Sequence, residues 1–160
     1  MDGTVLFVSG RDGCDSYIEV LRDRQLTVMH VTRPEDALPV LATHAPNVVV
    51  TDLVFADSAV SGTSFIRQVR SHVDYATSIV VLSRYVRASD REDARAAGAD
   101  LFLMKPAVPT ALLFEVQRAL ILQRGGRRLP WNWRHDPLSA SLRPAVERRR
   151  KSSFTEPSSS

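Results

Sequence analysis

Short apolar runs alternate with longer amphipathic stretches along the first 123 residues. Each apolar run is rich in aliphatic residues and ends at a polar or glycine residue, which is typical of a strand. The five predicted strands are Thr4–Val8, Leu26–Val31, Asn47–Phe55, Ser78–Leu82 and Leu101–Met104. The stretches between and after them predict five helices, at Asp15–Arg24, Pro34–His44, Ser64–His72, Ser89–Ala97 and Thr110–Gln123. Pro39 predicts that the second helix starts late or kinks, and Gly98 predicts where the fourth helix ends.

This alternation of strands and helices decides the fold class. Strand–helix–strand units have parallel strands, and continuous Val, Ile and Leu runs fit strands that are covered on both faces. With right-handed crossovers, the pattern predicts an α/β fold, a doubly wound five-stranded parallel sheet with five helices. Residues 1–123 are the predicted domain, and residues 124–160, where the composition turns to Arg, Pro and Ser, are a predicted basic and partly disordered tail.

Charge separates the same two parts. Residues 1–123 carry 12 Lys and Arg against 15 Asp and Glu, whereas residues 124–160 carry nine against three, so the formal net charge of +3 averages an acidic domain and a basic tail. Arginines next to Trp131 and Trp133 can bind phosphates and stack on bases. The more ordinary expectation is that the two tryptophans pack on the domain or on a partner.

Composition and motifs exclude several other classes of protein. Cys14 is the only cysteine and cannot form an internal disulfide. No apolar run reaches the roughly 18–20 residues that span a membrane, and the first residues do not read as a signal peptide. The four histidines lack metal-ligand or catalytic spacing, and no glycine-rich phosphate loop or nucleophile–base pair is present. We therefore expect a cytoplasmic protein that is not a metabolic enzyme.

Side chains that can carry chemistry follow three of the predicted strands. The third strand runs into Asp52 after three valines, Ser83 follows the fourth strand and Lys105 follows the fifth. The carboxyl ends of parallel strands meet at one edge of the sheet, where the functional crevice lies. A carboxylate after three valines is costly unless it is exposed or paired, and a lysine suits a carboxylate or a phosphate. The sequence predicts that these three side chains converge.

These residues, in this order, resemble the receiver domain of two-component response regulators. The resemblance covers about residues 3–123 and rests on Asp52 in NVVVTDLVF, Ser83 in SIVVLSRYV, and AGAD followed by LFLM and Lys105-Pro106. It implies a flavodoxin-like fold in which Asp52 accepts a phosphoryl group from a sensor histidine kinase or a phosphotransfer protein. Lys105 and Ser83 would then contact the phosphoryl oxygens.

The resemblance has further implications around the fifth strand. Phe102 matches the aromatic residue whose rotamer reports the switch in this family, and the Lys105–Pro106 bond matches one that is typically cis. The face formed by the fourth helix, the fifth strand and the fifth helix would bind a downstream protein or a second copy of the chain.

The metal site implied by the resemblance is degenerate in this chain. The family holds Mg²⁺ with the acceptor aspartate and an acidic pair at the end of the first strand, where this chain has Ser9 and Gly10. Mg²⁺ prefers carboxylate oxygens, so its binding should be weakened. Asp12 is the candidate substitute ligand besides Asp52, and the more ordinary role for Asp12 is as the N-cap of the first helix.

Two further departures lie beside Asp52. The loop after it is longer than the family pattern, so that Gly62 arrives about two residues late, and Asp57 in this loop is either a substitute acid or a solvated loop residue. Arg84 stands where the family usually has a small residue. Its guanidinium either pairs with Asp52 or faces solvent.

Two functions remain open on the sequence alone. The first is a stand-alone, atypical receiver that acts in two-component or phosphorelay signalling through protein–protein contacts, with Asp52 phosphorylated if the site is still active. The second is a phosphorylation-independent pseudo-receiver, in which Asp52 and Lys105 form a fixed ionic cluster and the Arg/Trp-rich tail binds nucleic acid or a partner.

Overall fold

The computed structural model describes residues 2–10, 13–73, 76–84 and 87–134, with the backbone alone for Trp133 and Arg134. The strands are β1 (Thr4–Val8), β2 (Thr27–Val31), β3 (Val48–Thr51), β4 (Ser78–Ser83), β5 (Leu101–Met104) and β6 (Asn132–Arg134). The helices are α1 (Asp15–Asp23), α2 (Pro34–His44), α3 (Gly62–His72), α4 (Ala88–Ala97) and α5 (Pro109–Arg124). Within these described ranges, no helix combines the length and the apolar character that crossing a membrane requires.

The strands form one parallel sheet in the order β2-β1-β3-β4-β5-β6. Two apolar cores flank it: α1 and α5 contribute to one core, and α2, α3 and α4 contribute to the other. The predicted doubly wound α/β fold is therefore confirmed, and all five predicted strands and all five predicted helices are present.

Strand β3 shows why the strands read as continuous apolar runs. Val48, Val49 and Val50 are all fully buried, with Val48 and Val50 in the core under α1 and α5 and Val49 in the core under the other three helices. Successive side chains of a strand point to opposite faces, so a strand covered on both faces needs every position apolar. The strand ends well before the predicted Phe55, because the Asp52 carboxylate accepts the backbone N–H of Leu53 and turns the chain.

Helix α2 begins at Pro34 and continues through Pro39. Pro34 stands in the first turn, where its missing N–H costs no intrahelical hydrogen bond. The prediction of a late start is therefore wrong. Helix α4 ends as predicted, with Gly98 in the left-handed conformation at φ +115°.

The sixth strand was not predicted, and the sheet is therefore not five-stranded. Strand β6 pairs in parallel with β5, with Asn132 opposite Leu101 and Trp133 opposite Phe102. Its sequence, Asn-Trp-Arg, lacks the aliphatic run that marks the other strands, because this strand depends on its tertiary partner rather than on its own pattern. Residues 124–134 of the predicted tail thus complete α5 and extend the sheet. Residues 135–160 lie outside the described residues.

Candidate functional site

The register of the sheet sets Asp52, Ser83 and Lys105 side by side. The N–H of Asp52, just past β3, donates to the carbonyl of Val8 at the end of β1 at 3.1 Å. The N–H of Lys105, just past β5, donates to the carbonyl of Ser83 at the end of β4 at 2.9 Å. The backbone ladder thus continues past the strand ends, and it fixes where each of these side chains starts.

The three side chains form one connected group, which we call the Asp52 cluster. Asp52 Oδ1 accepts hydrogen bonds from Ser83 Oγ at 2.9 Å and from the N–H of Leu53 at 2.7 Å. Lys105 Nζ lies 3.4 Å from Asp52 Oδ2. Ser83 is fully buried, whereas the side chains of Asp52 and Lys105 are 19% and 12% exposed. The ammonium balances the carboxylate, and the side chains predicted to converge do so.

Asp52 nevertheless remains reachable from solvent. It lines an open pocket at the carboxyl edge of the sheet, together with residues of the β1 end, the start of α2 and the loop after β3: Ser9, Gly10, Thr32, Arg33, Asp36, Val54, Phe55, Ala56 and Asp57. Asp36 is paired with Arg33 at 3.3 Å across one turn of α2, and Asp57 is exposed. Of the three carboxylates among these lining residues, Asp52 is the one that contacts Ser83 and Lys105.

The end of β1 offers a poor set of ligands for Mg²⁺. Ser9 is buried and supplies a hydroxyl, and Gly10 has no side chain. The carbonyl of Ser9 accepts a hydrogen bond from His30 Nε2 at 3.0 Å, and the carbonyl of Gly10 accepts one from Cys14 Sγ at 3.6 Å. Across the described residues, no three His, Cys, Asp or Glu side chains are grouped to hold a metal ion. The described residues at this edge do not fit Mg²⁺; the candidate substitute ligand Asp12 lies outside the described residues.

Cys14 and His30 contact the end of β1, and the sequence did not predict this role for them. Cys14 Sγ and His30 Nε2 are 3.6 Å apart, and the His30 ring packs edge-on against Phe7 with ring centroids 6.1 Å apart. Together they hold the two backbone carbonyls at the end of β1. No local sequence signal shows this contact, because it depends on the pairing of β1 with β2.

Arg84 and Asp57 do not join the Asp52 cluster. Arg84 is exposed and, in the described part of the chain, forms no ion pair with Asp52. The solvent-facing alternative for Arg84 is therefore the one that the structure shows. The exposed position of Asp57 agrees with the solvated loop residue that was the second alternative for it.

Phe102 lies in β5, three residues before Lys105, and is fully buried in the core under α2, α3 and α4. Its strand partners are Val81 of β4 and Trp133 of β6. The Lys105–Pro106 peptide bond is cis, as the resemblance implied.

Gly62 brings α3 close to the backbone that follows Asp52. Its N–H donates to the carbonyl of Leu53 at 3.0 Å. A Cβ atom at this position would lie 2.6 Å from the carbonyl oxygen of Asp52 and closer still to the Cα of Leu53. The loop after Asp52 is long, but this glycine still returns the chain to the site.

A hydrogen bond also connects this loop to α2. The Ser58 hydroxyl donates to the Glu35 carboxylate, and this hydrogen bond lowers the pKa of Glu35 below its ordinary value. The hydrogen bond and charge of Asp36 raise the pKa of Arg33. Both ionised groups are exposed at the surface.

The comparisons with known proteins agree with this geometry. The family model of the response regulator receiver domain matches residues 11–117. Among curated proteins, none matches this chain significantly.

Solved structures share the fold at low sequence identity. A CheY-like receiver domain protein from Methanospirillum hungatei is 20% identical with a TM-score of 0.72, and the match covers 79% of this chain and 99% of that one. The chemotaxis response regulator CheY4 of Vibrio cholerae is 24% identical with a TM-score of 0.67, covering 74% and 99%. NtrX from Brucella abortus is 20% identical with a TM-score of 0.71, covering 94% of this chain and 31% of NtrX.

Proposed function

This chain belongs to the response regulator receiver domain family of two-component systems, and from this membership we propose that it is an atypical receiver which signals by protein–protein contact without Mg²⁺-dependent phosphorylation. In this proposal the Asp52 cluster is a fixed structural group that keeps the domain in one conformation. The partner surface is the face formed by α4, β5 and α5, as the family resemblance implies.

One observation carries the proposal: the carboxylates that would hold Mg²⁺ at the end of β1 are replaced by Ser9 and Gly10, whose carbonyls are bonded within the protein. Receiver domains use a divalent cation to neutralise the charge that develops during phosphoryl transfer. A single carboxylate already paired with a lysine is a weak magnesium ligand, because Mg²⁺ is hard and dehydrates reluctantly.

The Asp52 cluster supports the second half of the proposal. Ser83 and Lys105 already contact the two carboxylate oxygens of Asp52. A charge-assisted hydrogen bond of this kind is stronger than a neutral one. The ends of β3, β4 and β5 are thereby joined without a phosphoryl group.

A protein partner is supported by the exposed face of α5. Phe114 and Ile121 are 56% and 57% exposed, and at a spacing of seven residues they lie on the same side of the helix. Exposed apolar residues grouped in this way are typical of surfaces that contact another protein.

The second candidate function is phosphorylation of Asp52 by a sensor histidine kinase or a phosphotransfer protein. It is favoured by the accessibility of Asp52 from the open pocket and by the lysine and the serine that stand next to it. In that case Asp12, or ligands from solvent, would have to replace the missing acidic pair.

The two candidates are separated by incubating the protein with acetyl phosphate, with and without Mg²⁺, and measuring its intact mass. We expect no gain of a phosphoryl group in either condition, because Ser9 and Gly10 stand where the family has its acidic pair. The matched control is a Ser9→Asp/Gly10→Asp variant, which restores the two carboxylates and should gain one phosphoryl group only with Mg²⁺. A gain in the unmodified protein that Asp52→Asn abolishes would overturn the proposal in favour of the second candidate.

A further inference from the structure

The segment after α5 closes the open edge of the sheet. We call residues 127–134 the C-terminal strap. It contains β6, whose pairing with β5 runs from Leu101 and Asn132 to Leu103 and Arg134. Without the strap, β5 would be an edge strand with unpaired N–H and carbonyl groups, which is a ready template for another strand.

Apolar anchors hold the strap on both sides of this edge. Leu129 is 3% exposed and belongs to the core under α1 and α5. Trp131 packs against the core on the opposite face, and the Arg95 guanidinium of α4 lies 5.7 Å from the centre of its ring. The strap therefore occupies a groove that runs along β5 between α4 and α5.

A buried carboxylate at the start of β5 supplies the polar anchor. Asp100, which is 5% exposed, receives Arg128 on Oδ1 at 2.5 Å. Its other oxygen receives Arg70 of α3 at 2.6 Å and the N–H of Ile79 at 2.8 Å. The N–H of Asn132 also donates to the carbonyl of Asp100 at 3.4 Å.

This arrangement lets the strap leave without stranding a buried charge. Arg70 comes from the body of the domain, so Asp100 keeps a cation and a backbone donor after Arg128 departs. Removing the only partner of a buried charge would be costly, and that cost is avoided here. The strap is also joined to α5 through Gly125-Gly126, and Gly126 has φ +69°, so its linker is built from residues with wide conformational freedom.

We propose that the groove along β5, between α4 and α5, is a docking site for an extended protein segment, and that the C-terminal strap occupies it in cis. The partner segment would carry the chemistry of the strap: a basic residue, then an apolar residue, and an aromatic residue two positions later, as in Arg128, Leu129 and Trp131. Main-chain pairing with β5 would supply affinity, and these side chains would supply specificity.

This inference rests on the proposed function, because it assigns both the partner and the regulation of the α4–β5–α5 face. A tethered segment competes at an effective concentration on the order of millimolar. A partner therefore gains access only when the strap is weakened or when its own affinity exceeds that of the tethered strap.

The strap carries its own reporter, because Trp131 and Trp133 are the only two tryptophans of the chain. The release variant is full-length Arg128→Ala/Leu129→Ser, and the matched control is Arg127→Ala, which changes the exposed neighbouring arginine. We expect acrylamide to quench tryptophan fluorescence at least twofold more strongly in the release variant than in the unmodified protein. Quenching should be unchanged in the control.

Docking is then measured with a fluorescein-labelled synthetic peptide of residues 127–134. The peptide should bind the release variant at least tenfold more tightly than the unmodified protein, and the same peptide with Asp in place of Leu129 should not bind. Hydrogen exchange at residues 101–104 should become faster in the release variant and slow again with peptide. Exchange in α1 and β1 should stay unchanged, which shows that the variant is folded.

Three results would overturn the inference: unchanged quenching in the release variant, equal binding of the peptide to both proteins, or no binding to a variant whose quenching has risen. If the release variant loses its fold, the milder Arg128→Gln variant is compared with Arg127→Gln by the same readouts. None of these readouts depends on phosphorylation of Asp52. A failure of the proposed function in the acetyl phosphate experiment is therefore distinguishable from a failure here.

Discussion

Asp52 and Lys105 form an ion pair that is largely, but not completely, shielded from solvent. Both side chains are less than one fifth exposed, so the pair is screened less than a surface pair and is worth more. The stability of the domain should therefore depend on the pair.

We expect Lys105→Met to lower the free energy of unfolding by about 1–3 kcal/mol, because it leaves a largely buried carboxylate without its cation. The measurement is urea denaturation at neutral pH. Arg84→Met, at the exposed cation nearby, should change stability by no more than about 0.5 kcal/mol. The double variant Asp52→Asn/Lys105→Met should recover part of the loss. Equal losses for Lys105→Met and Arg84→Met would show that the ion pair does not contribute.

The sequence allowed the Asp52 cluster to be predicted, but not the contact between Cys14 and His30 at the end of β1. Asp52, Ser83 and Lys105 each follow an apolar run, and parallel strands must bring their carboxyl ends together. The contact of Cys14 with His30 joins residues 16 positions apart and depends on the register of two strands. That register is set by packing across the whole sheet rather than by any local pattern.

At the scale of elements, α3 begins in direct contact with the backbone that follows β3. An added Cβ on Gly62 would lie 2.6 Å from the carbonyl oxygen of Asp52 and 2.8 Å from that of Leu53. Backbone atoms cannot move aside as a flexible side chain can. The residue that starts this helix therefore has to be glycine if α3 is to stay where it is.

Gly62→Ala should lower the free energy of unfolding by about 1–3 kcal/mol through this overlap, although alanine favours a helix by up to about 1 kcal/mol. The matched control is Gly10→Ala, where an added Cβ meets no atom within 4 Å. Thermal and urea denaturation of both variants give the comparison. If Gly62→Ala were as stable as Gly10→Ala, the close approach of α3 to the Asp52 loop would be refuted.

The elements also show where pattern reading stops. Strands with Val, Ile and Leu on both faces can be predicted from the sequence alone, as β3 and β4 were. Strand β6 has one asparagine, one tryptophan and one arginine. It forms because β5 has an open edge, and because the burial of Leu129 and the ion pair made by Asp100 hold the segment before β6 beside that edge. Such a strand can be assigned only once the rest of the fold is known, because its own sequence does not predict it.

At the scale of the whole molecule, the domain and the tail carry opposite charge. Residues 1–123 have an excess of acidic side chains, whereas residues 124–160 have an excess of basic ones. Two tail groups, Arg128 and Trp131, are used on the domain itself. This agrees with the expectation that the tryptophans pack on the domain, confirmed here for Trp131. Any contact with nucleic acid would then depend on the bases farther along the tail.

The four consecutive basic residues at 148–151 lie outside the described residues. Their role can be tested by removing the same number of positive charges either from this run or from the domain, and comparing the two variants. We expect Arg148→Ala/Arg149→Ala/Arg150→Ala/Lys151→Ala to reduce binding to a DNA duplex at least tenfold at low salt. It should also flatten the salt dependence, since each phosphate contact contributes a slope of about 0.9 in log–log form.

The control for this experiment removes four exposed arginines of the domain, Arg22, Arg24, Arg67 and Arg84, and so makes the same change in net charge. Fluorescence anisotropy at two salt concentrations measures both variants against the unmodified protein. Direct phosphate contacts act at short range and contribute more to the affinity than distant charge does, so the tail variant should lose much more binding than the control. Equal losses in the two variants would show that overall charge, and not a site in the tail, governs the contact, and the nucleic-acid role of the tail would then be discarded.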